Sequence, residues 1–195
     1  MKSIKVRFMG VDSLLQNNPQ MSDPLNKYSK EVKQISSKRK KTDDDIMMMR
    51  KIELRAKIYH DEQLGIYVPA TWVTASIQGV SWSKAKIKKA DIRAAVFATQ
   101  PKLKLTYLDM DKVKSPIDIV DNEVFHNVMS LKQGQVRVVK ATPIFKNWSF
   151  EVELDFDDTI INESELKGLI EYGAQFGGFG DFRPTYGRAM VEFIK

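Results

Sequence analysis

Alternating apolar and polar residues predict β-strands near both ends of the printed sequence. Over residues 2–9, Ile4, Val6 and Phe8 alternate with polar residues, which is the period of a half-buried strand. The same period runs over residues 148–156, where the second face is acidic and is therefore expected to face water. Further strands are predicted over residues 135–145, with a break or bulge at Pro143, and over residues 188–194.

A capped helix is predicted after the acidic strand. Asn162 suits the N-cap position, and Glu165 three residues later completes a capping box. Leucine and isoleucine then recur at three- and four-residue spacings, which indicates one buried helical face. Gly177 and Gly178 end the pattern, as glycines commonly do just after a helix. The pattern therefore predicts a helix over residues 163–176.

A second helix is predicted from the three consecutive aspartates at residues 43–45. Such a triplet suggests a metal site, but neighbouring helical residues point in different directions and do not converge on one ion. Thr42 is a typical N-cap residue, and acids in the first turn interact favourably with the helix dipole. The triplet therefore favours the start of a helix over residues 43–59. The residues that this helix is predicted to bury are Met48, Met49, Ile52, Ala56 and Tyr59.

These elements, in a chain of 195 residues, predict one α+β domain over residues 1–195. Residues 10–108 contain turn-rich and basic segments and a helical pattern that begins near Ala70. We interpret this range as a basic helical insertion region. Residues 109–135 carry mixed turn signals and weak periodicity, and we interpret them as a second insertion.

The composition excludes several classes of chemistry. The sequence contains no cysteine, so disulfides, thiolate metal sites and cysteine nucleophiles are all ruled out. It has neither a signal-peptide pattern nor an apolar run of about 18 residues, and we expect a cytoplasmic protein without a membrane span. The glycine-rich tract follows a helix instead of opening one, and no phosphate-loop motif occurs. We therefore predict no metal and no cofactor.

Charge is distributed unevenly along the chain. The formal net charge is +6, yet residues 151–171 contain eight acids and one base, so this segment carries −7 and the remainder +13. A basic remainder favours a polyanionic partner such as nucleic acid, with solvated lysines that only aid solubility as the alternative. The predicted nucleic-acid-binding cations in strands and lysine-rich blocks are Lys5, Arg7, Lys38, Arg39, Lys40, Lys41, Lys84, Lys86, Lys88, Lys89, Arg137 and Lys140. The aromatic residues that could stack on bases, or equally belong to the core, are Tyr28, Trp82 and Tyr186.

The glycine-rich tract over residues 173–188 allows two interpretations. In the first, it ends the preceding helix and turns the chain into its last strand. In the second, the backbone near Gly178 and Gly180 approaches a phosphate closely, with Arg183 and Arg188 supplying charge. The residue types fit both interpretations, because each depends on the missing Cβ of glycine.

Taken together, the first strand, the late capped helix and the tract GGFGDFRPTYGR before the last strand resemble the RAMP superfamily of CRISPR-associated RNA-binding proteins. The whole chain also resembles an uncharacterised family of phage proteins. The stretches that carry this second resemblance are 14–26 ending in DPLN, 38–45 (KRKKTDDD), 142–148 (TPIFKNW) and 178–188 (GFGDFRPTYGR). The resemblance implies a ferredoxin-like or RRM-like βαββαβ core with helical and loop insertions, in a RAMP-like domain found in a phage-infected bacterium.

What the resemblance implies functionally is non-catalytic binding of single-stranded RNA or DNA, with copies assembling along the strand. One alternative is a protein-interaction module that mimics or blocks a host CRISPR or defence component, with the acidic segment 151–171 as its contact surface. Another is a metal-independent RAMP-type endoribonuclease. Only His60 and His126 are available as imidazole bases for that reaction, and no spacing assigns either of them an acid partner.

Overall fold

A computed structural model of the chain describes residues 1–194 and shows a mixed α+β protein with antiparallel sheets. Its strands are β1 (Lys2–Gly10), β2 (Leu14–Leu15), β3 (His60–Asp61), β4 (Gly65–Pro69), β5 (Val96–Ala98), β6 (Lys102–Lys104), β7 (His126–Gln133), β8 (Val136–Phe145), β9 (Ser149–Phe156) and β10 (Ala189–Ile194). Its α-helices are α1 (Lys27–Ser36), α2 (Asp43–Lys57), α3 (Thr71–Ala85), α4 (Lys89–Ala95), α5 (Pro116–Asp121) and α6 (Glu163–Tyr172). The α+β prediction is therefore confirmed.

The largest sheet has the strand order β10-β1-β9-β5, and every neighbouring pair is antiparallel. Ile4, Val6 and Phe8 of β1 are buried, as their alternation predicted. The chain forms α3 between β1 and β5 and forms α6 between β9 and β10, and these two helices pack on each other. One face of the sheet therefore belongs to the core, and the polar positions of β1 and β9 form the opposite face.

The close approach of α3 and α6 depends on small side chains. A Cβ on Gly173 would lie 2.8 Å from the hydroxyl oxygen of Ser76 and 3.2 Å from its carbonyl oxygen. The predicted capping box at Asn162 and Glu165 starts α6, and a π-helical turn from Gly173 to Gly177 follows its last residue. The helix predicted over residues 163–176 is thus confirmed, with its last turn widened where it meets α3.

An aromatic cluster joins the sheet to the glycine-rich tract. The ring of Phe179 lies 4.9 Å from that of Phe8 and 5.3 Å from that of Phe150, measured between centroids. Trp148 stacks on Phe150, and its indole nitrogen donates a hydrogen bond of 2.7 Å to the carbonyl oxygen of Asp12. Burial of these rings fixes the start of the tract against the sheet.

Two smaller sheets, β2-β8-β7 and β3-β4-β6, lie outside this sheet. The long hairpin of β7 and β8 falls partly in the range 109–135 that was interpreted as an insertion. Helix α2 packs on β8. The predicted insertion region 10–108, however, includes β5, which belongs to the largest sheet, and α3, which packs with α6. This part of the region is therefore built into the central layers.

Helix α2 begins where the sequence predicts. The Thr42 hydroxyl accepts from the Asp45 amide, and the Asp45 carboxylate accepts from the Thr42 amide, which confirms the helix start. The prediction that Met48 is buried is wrong, because its side chain is 54% exposed. Ile46, Met47 and Met48 in the first turns of α2 are all exposed, and the fully buried positions lie nearer its C-terminal end, at Leu54 and at Ala56, whose burial was predicted correctly.

Candidate nucleic-acid interface

The structure places the predicted cations in separate regions. Lys38, Arg39, Lys40 and Lys41 lie together in the connection between α1 and α2, and all four are exposed. Lys38 forms an ion pair of 2.6 Å with Asp45, the third residue of α2. The hydrogen bond from Lys38 lowers the pKa of Asp45. Part of the charge of this first block is therefore neutralised locally.

Lys5 and Arg7 lie on the open face of the largest sheet, opposite the core. The guanidinium of Arg7 contacts the Glu151 carboxylate at 2.6 Å and the Glu192 carboxylate at 3.0 Å, and the ammonium of Lys5 lies 3.6 Å from Glu151. The hydrogen bond between Arg7 and Glu151 raises the pKa of the arginine and lowers the pKa of the glutamate. Together with Glu153 on β9, these acids make the open face a poor surface for phosphates.

A third group, which we call the α3–α4 lysines, comprises Lys84, Lys86, Lys88 and Lys89. Lys84 lies in the last turn of α3, Lys86 caps that helix with a left-handed φ of 60°, Lys88 is the N-cap of α4, and Lys89 is its first residue. Within residues 1–194 none of the four forms an ion pair with a carboxylate. This is therefore the block whose charge is least compensated by neighbouring acids.

Aromatic rings accompany the α3–α4 lysines. The ammonium of Lys86 lies 5.7 Å from the ring centroid of Trp82, a residue that is 57% exposed. The ammonium of Lys84 lies 5.1 Å from the ring of Tyr172, which in turn packs at 4.6 Å against the exposed ring of Phe176. Cations and exposed aromatic faces thus occur together, which is the combination that single strands require. Of the other predicted stacking residues, Tyr28 is buried and Tyr186 is half-buried.

The glycine-rich tract uses its backbone amides inside the protein. The amide of Gly178 donates to the carbonyl of Gly173, that of Phe179 to Gly187, and that of Asp181 to Leu15, at 2.9, 2.9 and 3.0 Å. The backbone of Gly180 passes so close to the carbonyl oxygen of Leu15 that a Cβ would overlap it. These contacts favour the interpretation in which the tract ends α6 and returns the chain to β10.

The two arginines of the tract differ in their surroundings. Arg188 hydrogen-bonds through Nε to the carboxylate of Asp12, and this bond raises its pKa. Arg183 is exposed and has no carboxylate partner among residues 1–194. Of these two predicted phosphate ligands, only Arg183 therefore retains an uncompensated charge.

Lys140 lies at a cleft that sequence patterns did not indicate. The cleft has a volume of 460 Å³ and is lined by Asn17, Met21, Glu53, Lys57, Lys140, Thr142, Asp181 and Phe182. Lys57 donates to the carbonyl of Ala141, and burial lowers its pKa more than the nearby carboxylates raise it. The ammonium of Lys140 lies 3.7 Å from Glu53. Arg137, by contrast, is exposed farther along β8, so the two predicted cations of this strand are separated.

The histidines occupy different settings. The Nε2 atom of His126 lies 3.2 Å from the carbonyl oxygen of Ile119, which gives the ring a structural contact. His60 is exposed at the start of β3 and lines a cleft with Lys104 and Tyr107. The Tyr107 hydroxyl donates to the carbonyl of Val113, and burial raises its pKa to about 12, so it is protonated at neutral pH. Across residues 1–194, no three acids or histidines are grouped as a metal site would require.

Comparisons with known proteins add no family assignment. No protein-family model matches the chain, and no curated protein matches it significantly. The resemblance to the RAMP superfamily and to a phage protein family therefore stays a prediction. In the part of the chain that the structure describes, no helix combines the length and apolar character needed to cross a membrane.

Proposed function

We propose that this protein binds single-stranded nucleic acid without cleaving it, and that the α3–α4 lysines form its main contact surface. The observation that carries the proposal is the exposed ring of Trp82 beside lysines that have no carboxylate partners among residues 1–194. Lysine ammoniums neutralise phosphates, and an exposed indole stacks on any base. Binding of this kind is expected to tolerate many sequences and to depend strongly on salt.

The assignment of a specific ferredoxin-like fold is also part of this proposal. The order β10-β1-β9-β5, with α3 between the first two sequential strands of the sheet and α6 between the last two, is typical of a ferredoxin-like βαββαβ core. We infer that the protein is a RAMP-type variant of this core, with copies that assemble along a strand. The phage-infected bacterial cytoplasm remains the setting that the resemblance implies.

The face used for binding differs in this proposal from that of RRM-like domains, which stack bases on the open side of the sheet. Here that side carries Glu151, Glu153 and Asp155, and Arg7 is already paired with acids. Because the α3 and α6 layer lies on the other side of the sheet, a strand held by the α3–α4 lysines avoids these carboxylates. The proposed surface therefore lies on the other side of the sheet from Glu151, Glu153 and Asp155.

One observation favours the alternative of a protein-interaction module. The acidic open face also exposes the apolar side chains of Phe97 and Met190, on the outer strands β5 and β10. Apolar groups within a charged surface are common in contacts between proteins. This candidate predicts a basic protein partner and no affinity for oligonucleotides, so the salt titration below separates the two functions.

The first prediction concerns salt. Four lysine contacts give a log–log slope of about −2.8 for a single strand, so affinity should fall about fiftyfold between ~50 and ~200 mM salt. Fluorescence anisotropy with labelled oligothymidine and oligouridine would measure the affinity, and intact oligouridine after prolonged incubation would show that the protein does not cleave that strand. Absence of binding at ~50 mM salt, or a response independent of salt, would contradict the proposal.

The second prediction concerns Trp82. Loss of one base stack typically costs about 1–3 kcal/mol, so Trp82→Ala should weaken oligothymidine binding by roughly 5- to 150-fold. Because this side chain is mostly exposed, the melting temperature should change little. The matched control is Phe97→Ala, which removes another exposed ring from the acidic face. Equal affinities of the two variants would place the strand somewhere other than α3.

A further inference from the structure

The cleft beside the glycine-rich tract has the size of a small-ligand site. Its volume of 460 Å³ falls in the range of about 300–1,000 Å³ that such sites occupy. Met21 and Phe182 provide apolar walls, while Asn17, Lys57 and Asp181 provide polar groups. A planar aromatic ligand with hydrogen-bonding edges fits this combination.

Phe182 is held in an unusual conformation at the edge of the cleft. Its φ is 55°, in the left-handed region that bulky residues rarely adopt, and the residue is 37% exposed. The hydrogen bond from the Asp181 amide to the carbonyl of Leu15 fixes the chain just before it. A strained and partly exposed aromatic residue on an anchored loop is an observation that points to a ligand contact.

Asp181 retains hydrogen-bonding capacity toward the cleft. One of its carboxylate oxygens accepts from the side-chain amide of Asn17 at 3.0 Å, and the other accepts from the backbone amide of Phe182 at 3.1 Å. Each oxygen can accept one further hydrogen bond. Two adjacent acceptors match two adjacent N–H donors, and among the four common RNA bases only guanine has such a pair, at N1 and N2.

The lysines of the cleft complement the remaining edge of guanine. Lys57 uses one of its three protons on the carbonyl of Ala141, which leaves two for a ligand. Lys140 is held at 3.7 Å from Glu53 and lines the same cleft. Ammonium groups donate only, and guanine presents its O6 and N7 atoms as acceptors. The donor and acceptor types that line the cleft thus correspond to those on both edges of guanine.

We propose that this cleft binds a guanine base. In this arrangement Phe182 stacks on the base and the Asp181 carboxylate accepts its N1–H and N2–H groups. Lys57 and Lys140 donate to O6 and N7. The inference goes beyond the proposed function because it adds one base-specific contact to binding that otherwise tolerates many sequences. It rests on that function only where the bound guanine is taken to be part of a strand.

The test uses free nucleotides, so that it does not depend on strand binding. Calorimetric titration of the full chain should detect guanosine 5′-monophosphate, with adenosine and uridine monophosphates much weaker. Inosine 5′-monophosphate is the matched ligand control because it lacks only the 2-amino group. Loss of that charge-assisted hydrogen bond should weaken binding by about ten- to a hundredfold.

Two variants extend the test. Asp181→Asn keeps an acceptor for Asn17 but replaces one of the two acceptors that face the base, so guanosine and inosine monophosphates should then bind with similar weak affinity. Phe182→Asn replaces the phenyl ring by a side chain that tolerates positive φ. This variant should bind all purine nucleotides more weakly. Unchanged melting temperatures would show that both variants fold.

The outcomes separate the two proposals. If guanosine monophosphate fails to bind, or binds no better than the adenosine and inosine nucleotides, the guanine site is wrong, whatever the oligothymidine titration gives. If guanosine monophosphate binds as expected but no oligonucleotide does, the guanine site stands and the strand-binding function is wrong.

Discussion

Replacing Gly187 by alanine should destabilise the protein by about 2–5 kcal/mol, because left-handed strain and overpacking act at the same position. Gly187 has a φ of +78°, and an added Cβ would lie 2.9 Å from both the backbone nitrogen and the carbonyl carbon of Phe179, and closer still to its carbonyl oxygen. Its own amide and carbonyl bond to Ser13 and Phe179, each at 2.9 Å. The backbone therefore cannot move aside without breaking these bonds.

Chemical denaturation monitored by circular dichroism would measure the effect. Gly65→Ala is the matched control, because Gly65 also has a positive φ of 82° but a Cβ there would meet no atom within 4 Å. The difference between the two variants isolates the steric part of the penalty. A Gly187→Ala protein as stable as the Gly65→Ala protein would contradict the close packing of the tract against Phe179. The expected loss of packing would also displace Asp181 and Phe182 from the cleft.

Local patterns of apolar and polar residues predicted the elements that bury one face and expose the other. β1, β9 and α6 each have one fully buried face, so apolar spacing and capping residues predicted them. The pattern missed β7, where Val128 and, on the paired strand β8, Val139 are both about half exposed and therefore mark no buried face. Helix α1 was missed because its many lysines obscured Tyr28, Val32 and Ile35, which recur at helical spacing.

The environments of the candidate residues were less predictable than the elements that carry them. Alternation placed Arg7 on the polar face of β1, but its neutralisation depends on Glu151, which is 144 positions away and is aligned only by strand register. The cleft likewise combines Asn17, Lys57 and Asp181 from three distant segments. Spacing along a sequence carries no signal for such contacts. The sequence alone therefore does not distinguish a cation that has no carboxylate partner from one that is paired.

Replacing the α3–α4 lysines should give the second large effect, which is on the affinity for single strands and not on stability. A slope of about −0.7 per phosphate contact means that each contact contributes about eightfold at ~50 mM salt relative to roughly 1 M, so losing four should weaken binding by about 4,000-fold. The variant to use is Lys84→Gln, Lys86→Asn, Lys88→Gln and Lys89→Gln. Asparagine is chosen for Lys86 because that residue has a left-handed φ of 60°.

A control variant separates a local site from the general effect of net charge. Lys30, Lys33, Lys112 and Lys146 are exposed lysines on other parts of the surface, and changing all four to glutamine removes the same total charge. Because charges are screened beyond about 10 Å at ~0.1 M salt, this control should bind oligothymidine nearly as well as the original protein. Both variants should keep melting temperatures close to the original value, since each exposed change contributes within about 0.5 kcal/mol.

The salt dependence of each variant supplies the decisive comparison. If the α3–α4 lysines contact phosphates, their removal should also flatten the log–log slope by about 2.8, whereas the control should retain it. Anisotropy titrations of the three proteins over the same salt range would measure both quantities. Equal weakening in the two variants would mean that strands respond to overall charge and not to a surface at α3 and α4. Loss of affinity with an unchanged slope would mean that these lysines act without contacting phosphates.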